Sequence, residues 1–118
     1  PYEELNLQNL INSANGSPGK IMKNIKIWKE LPDHIKENLD FPLRDNLEIL
    51  KITKTISEEL DIDQQIFLIN FLQQKCWAKT KKKNIIRQLE DLKLYLQGFI
   101  QPRLAWEVTL LKIANEDL

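Results

Sequence analysis

Apolar residues in this chain recur three and four positions apart, and strand-like alternation is absent. Ile85, Leu89, Leu92, Leu96 and Phe99 keep a four-three-four-three spacing, the seam of a bundle helix. Three glycines in 118 residues leave little room for hairpins. Together these features predict an all-α fold, a helical bundle preceded by a short helix–turn–helix.

The helices are punctuated by caps. A first helix is predicted from about Glu3 to Ala14, with Leu7, Leu10, Ile11 and Ala14 on one side, and a second from Pro18 to about Glu30, with Ile21, Ile25 and Trp28 on one face. Between them Gly16 suits a left-handed C′ position, Ser17 an N-cap and Pro18 the first helical position. "LPDHIKENLDFP", residues 31–42, is polar with prolines at both ends and is the linker candidate, with room for one short helical turn. The next helix starts near Pro42 and reaches Leu60, with Leu43, Leu47 and Leu50 along a stripe. Asp61 or Asp63 caps a helix whose Ile66, Phe67, Ile69, Phe71, Leu72 and Cys76 predict burial on most sides. "AKTKKKN" ends it, Gly98 closes the seam helix, and Pro102 opens a last helix to about Asn115.

That last helix carries two stripes. Leu104, Val108 and Leu111 share one face, and Trp106, Leu110 and Ile113 the opposite one. One stripe suffices for packing onto a bundle; a second needs either a central position in the core or another protein chain against it. In a helix so near the end of the sequence, the partner is the favoured reading.

Composition narrows the function classes. Seventeen basic and seventeen acidic residues cancel, against a dedicated nucleic-acid binder. No apolar run approaches the roughly 20 residues of a membrane span. A single cysteine makes no internal disulfide, which points to a reducing, cytoplasmic setting, and the abrupt "PYEE" start suggests a piece of a longer protein.

Catalytic chemistry is not indicated. "NGSPGKIMKNI", residues 15–25, resembles a phosphate loop until its spacing is tested. Ala14 and Ile21 stand where a P-loop needs glycine and a hydroxyl, Pro18 removes an amide, and a helix rather than a strand precedes it. His34 lies in the polar linker and reads as a surface residue; Cys76 reads as a small hydrophobe. One His and one Cys do not build a zinc site. Glu58-Glu59 and Glu90-Asp91 diverge on helices and read as solvated surface. No catalytic, cofactor-binding or metal residue is assigned. Lys20, Lys23, Lys26 and Lys29 imitate a recognition helix, so a small nucleic-acid-binding module using residues 18–30 is the alternative reading. Three-residue spacing spreads those lysines around the helix, and the Lys79–Lys83 run reads as a hydrated turn.

"SANGSPGKIMKNIKIWKELP", residues 13–32, resembles the A-x-GSPG-x-A turn and following helix in the delta-prime subunit of the bacterial DNA polymerase III clamp loader. "YLQGFIQPRLAWEVTLLKIA", residues 95–114, resembles that subunit's closing helices. The likeness covers essentially the whole chain. It implies that residues 1–38 are the remnant of an AAA+ helical lid and residues 39–118 a helical collar domain. In that family, collars of five subunits pack into a ring above the ATPase modules, a hetero-oligomer that loads the sliding clamp on primed DNA and meets DNA here only through the complex. Hydrolysing relatives read G-S-x-R at this turn, with the arginine sensing the γ-phosphate. Gly16, Ser17, Pro18 and Gly19 align with that pattern, Gly19 in the arginine's place. Lys20 sits about 100° further around the helix. The implied subunit interface is Arg103, Trp106, Leu110 and Ile113, with no cofactor in this region.

Overall fold

A computed structural model describes residues 17–37, 45–98 and 100–116, and every regular element among them is helical. In chain order these are α1 (Pro18–Glu30), α2 (Asp33–Glu37), α3 (Asn46–Glu59), α4 (Ile62–Thr80), α5 (Lys83–Gln97) and α6 (Pro102–Glu116). The expected helix over residues 3–14, Gly16, Pro42, Leu43 and Phe99 lie outside the described residues.

Local chemistry explains most boundaries. Asp61 caps α4 by accepting from the Gln64 amide at 2.8 Å, while Gln64 Oε1 accepts from the Asp61 amide at 3.0 Å, a reciprocal capping box. Asp45 accepts from the Leu47 amide at 2.9 Å and starts α3 at Asn46, four residues later than the Pro42 signal predicts. Connections of a few residues join α3 to α4, α4 to α5 and α5 to α6, so successive helices run in opposite directions. α5 packs between α4 and α6, and α6 also packs on α3. The seam holds as read: Ile85, Leu89, Leu92 and Leu96 are buried. α4 buries Phe67, Ile69, Phe71, Leu72 and Cys76 as expected, together with Leu68, while Ile66 is only half-buried.

Two expectations fail here. The inward face of α3 is Ile49, Thr53 and Ile56, while Leu47 and Leu50 are exposed. α3 is apolar on more than one side, and its β-branched stripe is the one that fits the bundle. The short helical turn expected within residues 31–42 forms as α2, but the described part of that stretch is not a free linker. Leu31 and Ile35 are buried in the same core as the bundle, and α2 packs on α3. His34 Nε2 meets the Glu59 carboxylate at the end of α3, so this surface histidine ties two elements together. α1 buries no residue fully, yet Trp28 lies against Phe71 with ring centroids 4.7 Å apart, fastening α1 to α4.

A polar clasp joins α4 to α5. Gln73 Nε2 donates to the Ile86 carbonyl at 3.1 Å and to Glu90 Oε2 at 3.0 Å. Lys93 Nζ reaches Glu90 Oε2 at 2.6 Å and Asn70 Oδ1 at 2.9 Å. Donation from Gln73, and then from Lys93, holds the Glu90 carboxyl below its ordinary value of 4.5 against a smaller opposing effect of burial. A carboxylate whose folded pKa is lowered adds stability above its unfolded pKa and loses it as pH falls through the folded one. Between about pH 5 and pH 3 the thermal midpoint of the native chain should therefore drop further than that of Glu90→Gln, by circular dichroism. Parallel curves would show that the clasp contributes nothing to acid sensitivity.

Candidate interaction surfaces

At the glycine turn, the described residues do what a helix start requires. Ser17 Oγ accepts from the Lys20 amide at 3.4 Å, and Pro18 takes the first helical position. A Cβ placed on Gly19 would meet nothing within 4 Å, so position 19 is bare backbone facing open space. Lys20 and Lys23 border a groove of about 460 Å³ between α1 and α4, floored by Ile27, Ile66 and Phe67. All four lysines of α1 are exposed and distributed around the helix, while Ile25, Ile27 and Trp28 pack against the core. Among the described residues no three His, Cys, Asp or Glu side chains converge as a metal site.

On α6 the structure reverses the expected faces. Trp106, Leu110 and Ile113, expected to face a partner, are buried at 0%, 3% and 1% exposure. Leu104 and Val108 are the exposed pair, at 50% and 52%. The cause is chemical. Trp106 Nε1 donates to Gln65 Oε1 at 2.9 Å in the interior, and Gln65 Nε2 donates to the Leu60 carbonyl at 2.9 Å. An indole N–H and a buried amide satisfy each other there, and a flipped helix would orphan both. Small residues assist: Ala105 and Thr109 share the inward face and are buried, letting α6 approach its neighbours closely. Arg103 is exposed at the helix start, and its Nε donates to Glu107 Oε1 at 2.8 Å, so its acidic partner lies within the same helix.

The outward face of α6 is therefore Leu104 and Val108 beside the Arg103–Glu107 pair, with Leu111 on the same face but partly buried. Sequence reasoning missed this, although a signal existed. At about 100° per residue, Arg103 and Glu107 fall on the same side as Leu104 and Val108, and charges mark the solvent side. Further apolar exposure comes from Leu94 and Tyr95 at the end of α5 and from Ile100 in the connection to α6.

A family model described as "Cyanobacterial DNA polymerase III delta prime, C-terminal domain" matches residues 2–113. No curated protein and no solved structure matches the chain.

The reversal of α6 makes its two faces separable by stability. Trp106→Phe keeps an aromatic ring but strands Gln65 Oε1, costing about 1–3 kcal/mol. Trp106→Ala should cost about 3–5 kcal/mol. Val108→Ala should stay near 0.5 kcal/mol. Urea unfolding midpoints measure all three, and equal effects for Trp106→Ala and Val108→Ala would refute the assignment of faces.

Proposed function

The chain belongs to the family of the cyanobacterial DNA polymerase III delta prime C-terminal domain, and from that membership we propose that it is a non-catalytic assembly region of a clamp-loader subunit. Its role is to hold subunits together while the complex loads the sliding clamp on primed DNA. The observation that carries this reading is the match over residues 2–113, nearly the full chain. On this reading residues 1–38 are the remnant of an AAA+ lid and residues 39–118 the collar.

Two structural features support it. A compact all-helical body with an exposed apolar stripe is what a ring-forming module requires, because contact with neighbours removes that stripe from water. The stripe is Leu104 and Val108, taking the place of Trp106, Leu110 and Ile113, which hold the protomer's own interior. Arg103 borders the stripe and has Glu107 to neutralise it when the neighbour arrives, which lowers the desolvation cost of covering that edge. The turn at residues 16–19 fits a subunit that does not sense nucleotide here. Where a hydrolysing relative extends an arginine, Gly19 extends no side chain, and a lysine rotated away by about 100° does not substitute for a planar guanidinium.

The alternative, DNA reading by residues 18–30, is disfavoured by the packing of α1. A recognition helix needs its reading face free, whereas Ile25, Ile27 and Trp28 anchor α1 to the bundle and its lysines scatter around the remaining surface.

Leu104→Glu combined with Val108→Glu is the direct test. The double variant should unfold within about 1 kcal/mol of the parent, since about half of each side chain is already in water. Its association with the remaining clamp-loader subunits, followed by analytical ultracentrifugation of the reconstituted complex, should weaken about tenfold or more. Unchanged assembly would place the subunit contact elsewhere.

A further inference from the structure

The chain is neutral overall, but its charge is not evenly placed. No Asp or Glu occurs between Asp63 and Glu90, while Lys75, Lys79, Lys81, Lys82, Lys83 and Arg87 all fall in that interval. The structure concentrates most of these at one end of the bundle, where α4 gives way to α5. Trp77, Lys79, Lys81, Lys82, Lys83 and Arg87 are exposed there.

Three details distinguish this tip from a merely hydrated turn. Trp77 leaves 38% of its surface in water on the last turns of α4, an aromatic placed in the midst of lysines. Lys81 Nζ lies over that ring, 5.1 Å from its centroid, so a cation rests on one face of the partly exposed indole. Lys81 also adopts a left-handed backbone, φ 56° and ψ 22°, which is uncommon outside glycine and asparagine. A lysine at that strained position sacrifices conformational ease and keeps a charge at the apex.

Hydrogen bonds also define the apex. Thr80 Oγ1 donates to the Cys76 carbonyl at 2.9 Å and accepts from the Lys82 amide at 3.2 Å, and the Lys81 amide donates to the Trp77 carbonyl at 3.1 Å. At the start of α5 and one turn further on, Lys83 and Arg87 lie four residues apart on a shared face and extend the charge along the helix. No acidic side chain occupies the first turn of α5 to offset it.

We infer that this tip, Trp77 with Lys81, Lys83 and Arg87, is a binding site for single-stranded nucleic acid. An unpaired base stacks on the indole in place of the Lys81 ammonium, which moves to a flanking phosphate together with Lys83 and Arg87, the combination that sequence-indifferent single-strand binding uses. A duplex offers no free base face to Trp77 and engages the lysines alone. The site is remote in sequence from Leu104 and Val108 and does not depend on the assembly reading.

The test uses the 118-residue chain and a labelled oligothymidylate of about 20 nucleotides, followed by fluorescence anisotropy from about 50 mM salt upward. Binding should weaken linearly on a log–log plot with a slope of about −2 to −3, the release expected for three or four phosphates. Trp77→Ala should weaken it about fivefold or more, the loss of one stacked base. Lys81→Asn with Lys83→Gln should weaken it about tenfold, and asparagine tolerates the left-handed backbone, so the fold is retained. Lys20→Gln with Lys23→Gln should leave it within about twofold, because those lysines lie on α1. Absence of salt-sensitive binding would overturn the proposal. So would equal affinity of the Trp77→Ala variant, which would reduce the tip to a surface for any polyanion. Preference for vesicles of anionic phospholipid over the oligonucleotide would assign the tip to lipid and overturn it as well.

Discussion

A single buried amide sets the arrangement of this bundle. Gln65 sits near the start of α4 with almost no exposure, and its two ends are committed to different helices. Its nitrogen satisfies the carbonyl of Leu60 at the end of α3, and its oxygen receives the indole N–H of Trp106 on α6. Neither partner is replaceable by water in that interior, so breaking one bond leaves a polar group stranded at a cost of about 1–3 kcal/mol. The pair therefore selects among packings that hydrophobic burial alone would leave nearly equal. It fixes the rotation of α6 about its axis, and with it the identity of the residues left on the outside.

That dependence explains which parts of the fold were legible in the sequence. The α5 seam, the Ser17 and Asp61 caps and the helix start at Pro102 are local statements, encoded within a few residues, and each is found where the sequence places it. The faces of α3 and α6 are not local. Both helices are apolar on more than one side, so spacing proposes two stripes without ranking them. For α6 the ranking is decided by Gln65, forty-one positions away. The linker misreading has a related origin: Leu31 and Ile35 are two apolar residues in a polar, proline-bounded stretch, too few to register as a period, yet both are buried once α2 folds onto α3. The backbone at Lys81 was equally hidden, since a lysine carries no turn signal of the kind a glycine at the same place would have sent.

The interior chemistry also bears on what the molecule is suited to do. The polar groups with described partners in the α4–α5 clasp are engaged with one another, Gln73 with Glu90 and Lys93 with both Glu90 and Asn70. Interactions of this sort stiffen the interface between two helices; they do not leave a poised acid or base. Cys76, the one thiol, is buried against Thr80. The core holds the exposed apolar and basic groups at fixed relative positions. A rigid scaffold is what assembly requires, because ordering entropy is then lost on folding and not again on each association.

The up-and-down course of the helices separates the surface into two chemically different ends. Leu94, Tyr95, Ile100 and Leu104 flank the connection from α5 to α6, whereas Trp77 and Lys81 to Lys83 form the connection from α4 to α5. α5 is the strut between them. From Lys83 to Tyr95 it rises about 18 Å, roughly twice the distance over which exposed charges act in physiological salt. An apolar partner seated on the first end therefore neither covers the second nor feels much of its field. The net charge of zero conceals this polarity, since composition averages over the length of the bundle what the fold keeps at opposite ends.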